Sequence, residues 1–103
     1  MSKFVKVASV SELSAGEGKV VDAEGQSIAL FNVDGTLSAI ENTCTHVGGP
    51  LGEGALVGDI VNCPWHDAGF NVKTGACTGG PAKSDVKNFP VKVEGDDVLV
   101  ELE

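Results

Sequence analysis

A chain of 103 residues, 42% hydrophobic and 21% charged, is long enough for one domain with a modest core and too short for two. Fifteen acidic residues against seven lysines and no arginine give a net charge of −8, which leaves little to neutralise a phosphate backbone or an anionic bilayer, so nucleic acid and membrane are excluded as partners. No run of about eighteen apolar residues occurs and no apolar leader follows Met1-Ser2-Lys3-Phe4, which points to a soluble cytoplasmic protein, while an odd count of three cysteines argues against a disulfide framework.

The elements read as short strands. Val5 and Val7 alternate with lysine and predict a first strand. Ser9, followed three residues later by Glu12, predicts a capping box on a single helical turn over residues 9–13. Gln26 to Val33 is an apolar run with β-branched and aromatic members, and Val98, Val100 and Leu102 share one face of a closing strand. Glu24-Gly25, Asp34-Gly35 and Glu94-Gly95-Asp96 are hairpin turn signals, because aspartate, glutamate and above all glycine can occupy the tight positions between antiparallel strands.

The pattern changes between Glu41 and Ala82. This stretch holds nine of the fourteen glycines, all three cysteines, both histidines, the tryptophan and three of the four prolines, while the Val-Ile-Leu alternation thins out. The expectation is an all-β protein in which a loop-rich insertion rides on a more regular antiparallel base. From Asp22 to Asp67 there are seven acidic residues, and no basic residue lies between Lys19 and Lys73.

Chemistry concentrates in two short motifs, Cys44-Thr45-His46 and, after sixteen intervening residues, Cys63-Pro64-Trp65-His66. Each supplies one thiol and one imidazole. Gly48, Gly49 and Gly52, with Pro50 and Pro64, allow the backbone to curl closely around a metal centre. Two occupants suit this donor set: a single Zn²⁺ held by two cysteines and two histidines, or a [2Fe–2S] cluster with two thiolates on one iron and two imidazoles on the other.

The two motifs resemble those of Rieske iron–sulfur proteins. The likeness extends to Gly48-Gly49-Pro50-Leu51, to Phe70-Asn71-Val72 with Thr74-Gly75, and to Gly79-Gly80-Pro81-Ala82. It implies a single Rieske domain over residues 1–103: an antiparallel β-sandwich base with a loop-rich cluster-binding subdomain at about 42–82. It further implies one Rieske [2Fe–2S] cluster, with Cys44 and Cys63 on the inner iron and His46 and His66 on the outer one. Rieske proteins of respiratory and photosynthetic complexes carry two further cysteines joined as a disulfide, where this chain has Gly49 and Trp65. The chain is instead similar to the ferredoxins of bacterial aromatic-ring dioxygenases. The implied role is a soluble, low-potential, monomeric carrier of single electrons between a flavin-containing, NAD(P)H-dependent reductase and a terminal oxygenase, with no catalytic residue of its own. A zinc-stabilised binding module, or a Rieske subunit or redox sensor of another oxidoreductase, are the alternative readings.

Four features have both an ordinary and a functional reading. Cys77, without a partner at ligand spacing, reads as a small buried or semi-buried side chain rather than a reactive thiol. Trp65 between two candidate ligands reads as an exposed or half-exposed docking residue rather than core, with Pro50 and Leu51 extending the same apolar rim. Gly79-Gly80-Pro81 is an ordinary turn or, by the family resemblance, a third loop covering the cluster. The acidic surplus serves solubility and steers the protein toward a basic partner surface.

Overall fold

The computed structural model describes residues 3–42, 50–64, 69–79 and 85–102. The described strands are β1 (Lys3–Ser9), β2 (Gly18–Ala23), β3 (Gln26–Val33), β4 (Thr36–Glu41), β5 (Ala55–Val57), β6 (Ile60–Asn62), β7 (Gly69–Asn71), β8 (Cys77–Gly79), β9 (Asn88–Phe89), β10 (Val91–Glu94) and β11 (Asp97–Leu102). Two single 3₁₀ turns, Val10–Glu12 and Leu51–Glu53, join them. All pairing among the described residues is antiparallel, in three sheets ordered β1-β11-β10, β2-β3-β4-β9 and β5-β6-β7-β8.

Hairpin chemistry sets the register. The pair Ala23↔Gln26 closes on Glu24-Gly25 with φ of 51° and 86°, and Val33↔Thr36 closes on Asp34-Gly35 with φ of 51° and 92°. Two consecutive positive φ values are the requirement of the turn whose twist matches the flanking strands. Asn32 braces the second turn by accepting the Gly35 N–H at 2.7 Å, while its amide donates to the Leu13 carbonyl at 2.9 Å. At the first 3₁₀ turn the Glu12 carboxylate accepts the Ser9 N–H at 3.1 Å, the reach-back that the Ser9…Glu12 spacing anticipates.

Strand β3 is the wall between two cores, which explains its four consecutive apolar residues from Ile28 to Phe31. Ile28 and Leu30 face one core with Val21, Ala39, Phe89, Val98 and Val100. Ala29, Phe31 and Val33 face the other with Ile40, Leu51, Val61, Phe70 and Val72. A strand covered on both faces has no polar side to display. Full burial of a side chain such as Phe31 contributes about 1.5–3 kcal/mol.

The glycine-rich middle of the chain contains more regular structure than its sequence suggests. Strands β5 to β8 form a four-stranded sheet, yet each has three residues, too few for period-two alternation to emerge. No described helix is long and apolar enough to cross a membrane.

Candidate metal centre

Of the four candidate ligands, Cys63 falls among the described residues. Cys44, His46 and His66 lie outside them, as do Trp65, Ala68, Gly80 and Pro81. Cys63 immediately follows β6 and is 2% exposed, packed in the core that also holds Leu51, Val61 and Phe70. Leu51, expected at an exposed apolar rim, is instead fully buried. The turn that begins at Leu51 puts it beneath the second sheet, because its N–H donates back to the Asn42 carbonyl at 2.7 Å.

The described feet of segments 43–49, 65–68 and 80–84 meet at one end of the β5–β8 sheet. The pair Asn62↔Gly69 closes the second segment, and Gly69↔Gly79 sets the start of the third beside it. The pair Ala55↔Asn62 brings the exit from the first segment to the same end. Gly54, just before β5, approaches so closely that a Cβ there would stand 2.1 Å from the Asn62 carbonyl oxygen. The turns Gly58-Asp59 and 72–76 point the opposite way, so the ion pair of Lys73 and Asp59 at 3.5 Å is at the far end of the sheet.

Each foot is bonded to its neighbours. Asn42 accepts the Gly52 N–H on its Oδ1 at 2.8 Å. The Cys77 N–H donates to Asp85 Oδ1 at 2.8 Å, and the Val86 N–H donates to the Gly75 carbonyl at 2.9 Å. Glu41 and Lys87 then tie the first foot to the third. The Glu41 N–H donates to the Lys87 carbonyl at 2.8 Å, and the Glu41 carboxylate accepts the Lys87 N–H at 2.6 Å. Cys77 itself is half-buried against the core that contains Cys63.

Among the described residues, acidic charge at this end comes from Glu41, Glu53 and Asp85, all exposed. Lys87 is also here, with its ammonium 5.3 Å from the centre of the Phe89 ring. Glu12 is held below the usual carboxylate range, first by a hydrogen bond from Lys19 and then by the Ser9 N–H. Lys6 is raised by its hydrogen bond to Asp97.

Two thiols and two imidazoles are the donor set of a mixed-ligand [2Fe–2S] cluster, and a buried cysteine at the end of β6, walled by Leu51, Val61 and Phe70, fits one of its thiolate positions. Sequence reasoning picked out the candidate ligands and included Gly75 in the family pattern, but it did not single out Asn42, Gly54 or Asp85. An asparagine two residues before the first cysteine was the one local hint.

Comparison with known proteins bears on the same centre. The chain matches the Rieske [2Fe-2S] domain family over residues 3–90. It is 41% identical to the biphenyl dioxygenase ferredoxin subunit of Pseudomonas sp. (strain KKS102), over 96% of this chain and 92% of that one. It is similar to the solved structure of the Sphingomonas yanoikuyae B1 ferredoxin, with 30% identity, coverage of 98% of this chain and 100% of that chain, and a TM-score of 0.92. It also resembles a chain in the complex of reduced oxygenase and oxidized ferredoxin in carbazole 1,9a-dioxygenase, with 35% identity, 94% and 91% coverage, and a TM-score of 0.88.

Proposed function

Because the chain belongs to the Rieske [2Fe–2S] domain family, we propose that it is the ferredoxin component of an aromatic-ring dioxygenase system. In this reading it takes single electrons from a flavin-containing, NAD(P)H-dependent reductase and passes them to a terminal oxygenase. The observation that carries the reading is the 41% identity to a biphenyl dioxygenase ferredoxin subunit along nearly the whole of both chains. The likeness to a chain of an oxygenase–ferredoxin complex supports the oxygenase as the acceptor.

Residues 1–103 act as one Rieske domain with the cluster-binding subdomain at about 42–82. Cys44 and Cys63 hold the inner iron, and His46 and His66 the outer one. The bound [2Fe–2S] cluster supplies a one-electron couple, its core charge balanced by two thiolates when oxidised. The chain holds it in place and shields it. Cys63 anchors the inner side in a dry core, and the hydrogen-bonded feet of the three segments hold the loop end together. The protein works as a cytoplasmic monomer, and oxidation of the aromatic substrate takes place on the oxygenase.

The test is reconstitution. The purified protein is expected to carry iron and a Rieske electron paramagnetic resonance signal, and to support NADH-dependent dihydroxylation when mixed with a ferredoxin reductase and a biphenyl- or naphthalene-type dioxygenase. Zinc in place of iron, or a loaded protein that supports none of these oxygenases, would overturn the proposal.

A further inference from the structure

Asn42 has one neighbour in the sheet and two across the segment that follows it. The residue is 9% exposed. Its N–H donates to the Ser27 carbonyl of β3 at 3.1 Å and its carbonyl accepts the Leu51 N–H at 2.7 Å. Its side-chain Oδ1 accepts the Gly52 N–H at 2.8 Å in a buried hydrogen bond. One residue therefore closes both ends of segment 43–49 on the rim of the second sheet. Closing such a stretch costs chain entropy, and bonds at its feet offset that cost.

Gly52 is shaped to receive this bond. A Cβ built there would stand 2.6 Å from Val20 Cγ2, 3.0 Å from Asn42 Oδ1 and 3.2 Å from the Val20 nitrogen. The glycine backbone thus lies flat between β2 and the asparagine, with its N–H aimed at Oδ1. If the acceptor were removed, that N–H would be left buried without a partner, desolvated and with no bond to offset the loss. The segment could recover the bond only by moving a foot.

We infer that Asn42 is a positioning residue for the metal centre: acting through Gly52, it fixes the two feet of the segment that carries Cys44 and His46. The inference rests on the ligand assignment proposed above. Its chemical content is that position 42 needs a short side chain with an acceptor oxygen, a requirement that aspartate meets and alanine does not.

The experiment compares the loaded wild type with Asn42→Ala and Asn42→Asp, reading cluster loss to an iron chelator by visible absorption and the reduced-state resonance spectrum. Asn42→Ala is expected to lose its cluster about tenfold faster and to broaden or shift the Rieske signal, whereas Asn42→Asp stays within about twofold of wild type. Wild-type rates and spectra in Asn42→Ala overturn the inference, as does Asn42→Asp behaving like Asn42→Ala. Should Asn42→Ala not fold, amide exchange in the wild type decides. The Gly52 N–H is expected to be protected, and exchange at the rate of an exposed amide overturns the inference. A wild type that binds no [2Fe–2S] cluster defeats the functional proposal itself, an outcome distinct from a loaded wild type whose Asn42 variants are silent.

Discussion

Gly75 and Val86 touch backbone to backbone: the Val86 N–H donates to the Gly75 carbonyl at 2.9 Å, and a Cβ on Gly75 would stand 2.1 Å from the Val86 carbonyl oxygen. Gly75 also has φ of 84°. Alanine there would meet conformational strain and a backbone clash together, so Gly75→Ala is expected to destabilise by about 3 kcal/mol or more. Gly25→Ala is the control, since its φ of 86° carries the same strain but nothing lies within 4 Å. It should cost about 1 kcal/mol. Thermal melts check the difference at about 4–8 °C per kcal/mol, and equal losses would show that the close approach does not matter.

On the proposed ligand assignment, His46→Ala and His66→Ala are each expected to abolish the native cluster, because a methyl group would leave the outer iron short of a ligand. Cys44→Ser and Cys63→Ser should be at least as damaging. Iron content and the resonance spectrum measure this. A normal Rieske signal from His66→Ala would refute the ligand assignment.

On the proposed ligand assignment, the reduction potential should lie toward the low end of the Rieske range, roughly −150 mV, because Ala68 and Phe70, close after His66 in the chain, carry no hydroxyl that could donate to sulfur. Phe70 is fully buried in the core that holds Cys63. In Phe70→Tyr the new hydroxyl either reaches a sulfur and raises the potential, or stays buried and unpaired at about 1–3 kcal/mol. Voltammetry and melting done together separate the two, and we expect a raised potential with little loss of stability. Ala68→Ser should act in the same direction.

If this chain, at −8, docks on a basic oxygenase surface through complementary charge, electron delivery is expected to slow as salt rises. Trp65→Ala should slow it further with the cluster intact. Rates that ignore both salt and Trp65 would exclude docking through this end.

Acid sensitivity should carry a contribution from Glu12, whose carboxyl is held below its ordinary range by Lys19 and the Ser9 N–H. A depressed folded-state value means that the stabilisation is present above the ordinary carboxylate range and is lost as pH falls through the depressed value. Glu12→Gln should therefore melt below wild type near neutrality, with the gap closing in acid. A gap that stays constant with pH would rule out this charge as its source. Lys6 is raised by Asp97, so its contribution is present below the ordinary lysine value and fades as pH rises through the raised one.

The local features of this chain were legible in its sequence because their causes are local. Glu24-Gly25 and Asp34-Gly35 adopt the positive φ values that their residue types permit, and β3 runs from Gln26 to Val33 as its apolar run suggested. The candidate ligand motifs are local in the same sense, since each packs a thiol and an imidazole into three or four consecutive residues. Tertiary structure alone decided how the rest fits together. That β3 divides two cores depends on which sheets cover its faces, and Leu51 turned inward because Asn42 holds its N–H. The close approaches of Gly54 to the Asn62 carbonyl and of Gly75 to the Val86 carbonyl, and the bond from the Cys77 N–H to the Asp85 carboxylate, join residues eight to eleven apart in the chain. Such approaches depend on where two strands meet in space, and a hydrogen bond to a backbone N–H places no demand on the partner's side chain that a sequence could record.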